Sequence, residues 1–176
     1  MKFLKGLGIV VLLLVALILI MAAFVSKDFK IEREVVINKP TPVVFDYIKY
    51  LKNQDQFSYW AMQDPGMKKE YKGTDGTVGF TAAWNGEKMG VGEQEIKAIQ
   101  QNAKVDYELR FKKPMEATNT AYLATEALGA SQTKVKWALM GHSNYPMNIM
   151  NLVMKGTLEN QLQTGLDNLK KLMEKQ

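Results

Sequence analysis

The chain has 176 residues, with 23 Lys and Arg against 18 Asp and Glu, one His and no Cys. No disulfide, thiol nucleophile, Cys metal site or multi-His metal site can be built from that inventory. The net charge of +5 is mild and the lysines are scattered rather than gathered on one face, so nucleic acid is not an expected partner.

The first element is Gly6 to Val25, an unbroken apolar run without a charge. At about 1.5 Å per helical residue it matches the roughly 30 Å hydrocarbon core of a bilayer. A secretory signal has a shorter apolar core and a small-residue cleavage site, and Ala22-Ala23-Phe24-Val25-Ser26 places no such site cleanly. A cleaved signal stays open as the alternative. The expected organisation is a transmembrane anchor over residues 1–27 and one domain over residues 28–176. Lys2 and Lys5 precede the run and favour a cytoplasmic N-terminus, with the domain in a periplasm or outside the cell. Of the 23 basic residues two precede the run, which leaves 21 against 18 acidic ones for the domain and a modest attraction to anionic headgroups.

Lys30–Ile37 reads as a strand rich in β-branched residues. Pro40-Thr41-Pro42 ends it, with Thr41 as N-cap of a helix over Pro42–Leu51. Asn53–Trp60 reads as a second short helical turn before Asp64-Pro65-Gly66. From Met67 the period changes to two. Val78–Asn85 is a strand closed by an Asn85-Gly86 hairpin signal, and Gly90–Gln100 pairs back on it. After a Gln101-Asn102 turn, Val105–Lys112 alternates, with Val105, Tyr107, Leu109 and Phe111 on one face and charges on the other. Thr118–Leu128 and Thr133–His142 are two more strands. Met147, Met150, Met154, Leu158, Leu162, Leu166, Leu169 and Met173 then step by threes and fours, a long amphipathic helix that Gly156 is expected to divide.

The fold class is therefore α+β: a curved antiparallel sheet of about seven strands wrapped on a long C-terminal helix, preceded by a transmembrane helix. The two surfaces cannot match everywhere, which leaves a gap between them. Phe80, Trp84, Tyr107, Phe111, Tyr122 and Trp137 on the strands, with Met140, Met147, Met150 and Met154, are candidate cavity-lining residues. Met is pliable and suits varied apolar ligands; ordinary core packing is the plainer reading of each. His142, the sole imidazole, is a weak candidate for a general base, without a partner carboxylate identifiable by spacing. Glu93, two residues from Glu95 on the same strand face, is a second weak candidate; such pairs more often face solvent opposite lysines. Asp46, Asp55 and Asp64 read as helix-surface or turn residues. GxGxxG, P-loop, HExxH and GxSxG patterns are all missing. No cofactor or metal is expected.

Several pieces in order carry a resemblance: Val36-Ile37-Asn38-Lys39-Pro40, Val44-Phe45-Asp46-Tyr47, Trp60, Asp64-Pro65, Gly76–Gly79, Trp84-Asn85-Gly86, Gly90-Val91-Gly92-Glu93, and Lys134-Val135-Lys136-Trp137 before the long helix. Over residues 28–174 the chain resembles the START/polyketide-cyclase superfamily (SRPBCC) with its helix-grip fold. A membrane segment ahead of such a domain is familiar among bacterial members. The resemblance implies a hydrophobic cavity between sheet and helix for lipids, sterols, polyketides or other apolar small molecules. Relatives often carry tryptophan where Gln54 and Phe57 stand here, so the resemblance implies a different mouth near the second short helix. Because one fold hosts many functions, three readings stay open. The favoured one is a membrane-tethered module, not an enzyme, that binds an apolar small molecule or lipid. The others are a cyclase, dehydratase or hydrolase on a polyketide-like or aromatic substrate, and a structural or interaction domain without ligand. Oligomeric state is open.

Overall fold

The computed structural model describes residues 2–175; Met1 and Gln176, the outer ends of the two expected units, lie outside the described residues. Helix α1 (Lys2–Phe24) leads into seven strands and three further helices: β1 (Asp28–Ile37), α2 (Thr41–Ile48), α3 (Tyr59–Gln63), β2 (Lys68–Lys72), β3 (Thr81–Gly86), β4 (Gly90–Gln100), β5 (Lys104–Lys113), β6 (Ala117–Ala127), β7 (Thr133–His142) and α4 (Met150–Lys175). Short 3₁₀ turns occupy Leu51–Gln56 and Met147–Ile149. The strands form one antiparallel sheet in the order β1-β7-β6-β5-β4-β3-β2. Register shifts in β4 at Val91/Gly92 and Ile96/Ala98 bend the sheet, because an extra residue on one strand turns it away from its partner.

Alternation decides which side chains enter the core. Val105 and Tyr107 of β5, Ala121 and Leu123 of β6, and Val135, Trp137 and Leu139 of β7 are buried in a core shared with α2 and α4. Leu162, Leu166, Leu169 and Met173 supply the share of α4. Polar ties hold α4 from its third turn to its end against β1 and the residue after it: Arg33 Nη2 donates to Glu159 Oε2 (2.7 Å), Lys170 Nζ to the Val36 carbonyl (2.5 Å), and Asn38 N to Glu174 Oε1 (2.9 Å). Gly165 lets the helix descend onto the Trp137 ring, since a Cβ there would stand 2.7 Å from Trp137 Cζ3.

The structure differs from the sequence reading at six places. Thr41 is the first residue of α2 and not its cap; its hydroxyl is 3.0 Å from that of Thr133, and Pro40 stands at the cap. The expected helix over residues 42–51 stops at Ile48, and its end merges into the 3₁₀ turn at Leu51. The expected helical turn over Asn53–Trp60 is split between that 3₁₀ turn and α3. Asn85 and Gly86 are paired strand residues, and the hairpin turns through Glu87–Met89 with Gly90 at φ 66°, the left-handed position of a three-residue loop. Asp64, expected in a turn or on a helix surface, is buried and accepts hydrogen bonds from the Lys88 and Met89 amides of that loop (3.0 and 3.3 Å). Finally, Gly156 lies inside α4, which runs through it unbroken; the lead-in turn ends at Ile149 instead. A single glycine costs a helix only about 1 kcal/mol relative to Ala, too little to divide one that is anchored downstream.

Replacing Gly165 by Ala sets that same propensity gain of about 1 kcal/mol against overpacking onto Trp137, which costs about 1–3 kcal/mol. The steric term wins: a lower thermal midpoint is expected for G165A, measured by circular dichroism on the full chain in detergent.

Candidate functional site

The C-terminal half of α4 is gripped; its first two turns are not. Met150, Leu152, Val153, Met154, Lys155, Gly156 and Thr157 are exposed, while Leu162, Gly165, Leu166, Leu169 and Met173 are buried. Between those lifted turns and the bent outer strands lies a cavity of about 480 Å³. It falls within the roughly 300–1,000 Å³ of small-molecule sites. Trp84, Phe111 and Leu109 form its sheet wall, and Met147, Met150, Met154 and Leu158 its helix wall. Gly92 makes the sheet wall possible, because any Cβ there would overlap the Trp84 ring, which crosses β4 to meet Phe111 edge-on at 5.7 Å.

One polar group stands out on this wall. Gln54, on the 3₁₀ turn Leu51–Gln56, is 7% exposed, and its Nε2 finds no hydrogen-bond partner among the described residues. Its Oε1 accepts a long bond from Gln94 Nε2 (3.4 Å). The Tyr107 hydroxyl lies near enough to feel the amide, but no bond of ordinary length and angle joins them; Tyr107 donates to the Ile48 carbonyl (3.4 Å), and burial raises its pKa. The turn that carries Gln54 is fixed at its start by Asp75, whose carboxylate accepts from the amides of Leu51 (2.8 Å) and Lys52 (3.1 Å). Gln54 is thus a positioned, unused donor in an apolar chamber.

Of the sequence candidates, Trp84, Phe111, Met147, Met150, Met154 and His142 line the cavity. Phe80 and Tyr107 are fully buried; Phe80 stacks on Tyr71 with centroids 6.1 Å apart. Trp137 is buried among Phe57, Trp60 and Gly165. Tyr122 and Met140 belong to the outward parity of β6 and β7, because Ala121, Leu123 and Leu139 take the inward positions. Tyr122 donates instead to Glu32, with the Lys104 ammonium 4.7 Å from its ring centroid. Glu93 also points away from the cavity: Arg110 Nε donates to it (2.6 Å), and Arg110 also pairs with Glu95 (2.8 Å) and Glu108. The guanidinium holds the Glu93 and Glu95 carboxyls below their ordinary range and is itself raised.

His142 gains a partner that spacing along the chain could not reveal. The β1–β7 register sets Asp28 opposite His142, with Nδ1 2.7 Å from Asp28 Oδ1. Phe29, Met115 and Asn119 are further lining residues missed in the sequence. Phe29 is reached by extending the first strand one residue. Met115, in the loop after β5, gave no periodic signal. Among the described residues no group of three or more His, Asp or Glu side chains is gathered as a metal requires.

No family model matches the chain, and no curated protein matches it in sequence. Its fold is similar to several solved structures. Truncated norcoclaurine synthase from Thalictrum flavum superposes with a TM-score of 0.63 at 13% identity, covering 82% of this chain and 92% of that one. Protein CV1439 from Chromobacterium violaceum gives 0.60 at 12% identity, covering 82% and 96%. Ara h 8.0201 gives 0.57 at 14%, covering 85% and 99%. At such identities the likeness establishes the helix-grip fold and nothing finer.

The Arg110 cluster predicts an acid dependence. Because the folded pKa values of Glu93 and Glu95 lie below the unfolded value near 4.5, their stabilisation is complete above that value and is lost as pH falls through the folded pKa. Arg110→Met is expected to cost about 1 kcal/mol at pH 7 and little at pH 3, read from urea midpoints across that range.

Proposed function

We propose that the chain is a membrane-tethered binding module, residues 1–27 its anchor and residues 28–176 a domain that holds one apolar small molecule or lipid between sheet and α4. The observation that carries this reading is the pairing of a roughly 480 Å³ apolar chamber with the unsatisfied amide of Gln54 on its wall. Leaving a buried donor unmade costs about 1–3 kcal/mol, which a guest with one acceptor oxygen would recover. A carboxyl, ester or hydroxyl end meeting Gln54, with an aliphatic or aromatic body against Trp84, Phe111 and the Met residues, suits the wall as built. The apolar helix over Lys5–Phe24 supports the tether by length and composition. The fold neighbours support a domain of ligand-holding architecture without specifying the guest.

A second reading rests on one observation: His142, on the cavity wall, is hydrogen-bonded to Asp28 and so oriented as a general base requires. The norcoclaurine synthase neighbour is named for an enzyme. Among the described residues the hydrogen-bonded partner of His142 is the exposed Asp28, which is not on the cavity wall, so binding is preferred. Turnover of a cavity ligand that disappears in His142→Ala would reverse that preference.

The test is photolabelling of the full chain in lipid nanodiscs with a diazirine fatty acid, mapped by mass spectrometry. Labels are expected on peptides bearing Trp84, Phe111 and Met154 as well as on α1. Filling the chamber with Ala82→Phe should cut chamber labelling about tenfold and leave α1 labelling unchanged. Labels confined to α1 would sink the proposal. Gln54→Leu is expected to stabilise the ligand-free protein by about 1 kcal/mol, since it removes the orphan donor, while weakening capture of the probe's carboxyl end.

A further inference from the structure

The segment from Tyr145 to Met154, Tyr-Pro-Met-Asn-Ile-Met-Asn-Leu-Val-Met, contains no charge and joins β7 to the lifted turns of α4. Leu152 (61% exposed) and Val153 (69%) belong to neither the core nor the cavity wall. Met147, Met150 and Met154 in the same segment line the cavity yet remain about half exposed. Met115, 64% exposed, completes this rim from the opposite side. So much apolar surface in one place is rare on a protein bathed only by water.

The same segment grips the end of α1. Asn148 Nδ2 donates to the carbonyls of Ala22 (2.7 Å) and Val25 (2.8 Å), and Asn151 Nδ2 to those of Ser26 (3.1 Å) and Lys27 (3.3 Å). The last carbonyls of a helix have no partner within it; Asn148 supplies one to Ala22, and Asn151 ties down the linker that follows α1. Ala22 is 1% exposed beneath the contact, and the Tyr145 hydroxyl reaches the Leu19 carbonyl (3.3 Å). Leu19 lies about 7.5 Å up the helix from Phe24. The segment therefore stands beside the last turns of the apolar helix, at the depth where an interfacial amphipathic helix buries its face, about 5–10 Å.

We infer that the cavity mouth is seated in the bilayer interface, with Leu152 and Val153 in contact with phospholipid acyl chains, so that the cavity opens to the lipid phase. The occupant of the rim is a phospholipid bilayer because the rim is continuous with α1 and fixed to it. Lys27, Lys113 and Lys155 flank the rim and suit headgroup phosphates, with Glu116 and the His142-paired Asp28 opposing them. This inference rests on the tethered-module reading and adds its geometry.

A chain without cysteine allows single-cysteine labelling of the full protein in phosphatidylcholine/phosphatidylglycerol vesicles. An environment-sensitive fluorophore is placed at Val15→Cys in α1, Leu152→Cys and Val153→Cys on the rim, and Ser131→Cys at the far end of the sheet. Shifted emission and quenching by acyl-chain nitroxide lipid are expected at residues 15, 152 and 153, and neither at 131. Quenching at 15 with 152 and 153 behaving like 131 overturns the seating and leaves the tether standing. No quenching at 15 overturns both. Shifted emission at 152 and 153 without lipid quenching means a protein covers the rim, and also overturns it. In the fatty-acid photolabelling assay, the double variant L152D/V153D should label the cavity about tenfold more slowly from the membrane, with α1 labelling unchanged. An unchanged rate would mean that the rim is not the route from lipid.

Discussion

The fold turns on how α4 meets the sheet: held from its third turn onward and lifted clear over its first two. Gly165 over Trp137, the buried Leu162, Leu166, Leu169 and Met173, and the ties to β1 fix the C-terminal half. A rigid helix so fixed cannot also follow a sheet that bends at the two irregularities of β4. Its first turns stand clear, and the cavity is what remains between. Its apolar walls stay unpacked against protein over about 480 Å³, so their dispersion contacts are left for solvent or a guest to supply. Such a space is tenable only if something fills it, whether solvent through the mouth or a guest.

Short carboxylates do quiet work around that space. Asp75 closes the start of the 3₁₀ turn that presents Gln54, and Asp64 closes the β3–β4 loop beside Trp84 and Met89. Both bind backbone amides that would otherwise go unpaired in tight turns. They hold the walls without entering them, so the chamber keeps its largely apolar lining with the unpaired Nε2 of Gln54 on it.

Much of this was legible in the sequence wherever a period carried it. The alternation of β5 and β7 and the stripe of α4 located strands, helix and most of the core, because burial itself imposes periods of two and 3.6. Cavity membership followed less well. Ala-Tyr-Leu in β6 sends the tyrosine outward by parity, although residue type alone suggested a wall position for Tyr122. Phe80, Tyr107 and Trp137 are buried away from the cavity, Phe80 against Tyr71, Tyr107 against the end of α2 and Trp137 beneath Gly165, and periodicity does not report where a helix lifts. The Asp28–His142 pair joins residues 114 positions apart and exists only through strand register. Asn85-Gly86 signalled a hairpin by composition, but Gly90 supplied the left-handed residue the loop uses.

Asn148 bears on the choice between anchor and cleaved leader. It is 1% exposed, and its amide nitrogen spends both hydrogens on Ala22 and Val25, while its Oδ1 has no partner among the described residues. Removing α1 would take the Ala22 carbonyl away and uncover the apolar surface around it. The asparagine would then have to find water at the edge of an already greasy rim. Keeping α1 leaves the amide nitrogen fully used, and in a bilayer it covers the carbonyls a helix cannot satisfy itself. An asparagine placed between an apolar helix and a cavity mouth ties the two together: both hydrogens of its amide nitrogen are used only while α1 is present, so the end of α1 and the lead-in to α4 pack as one unit.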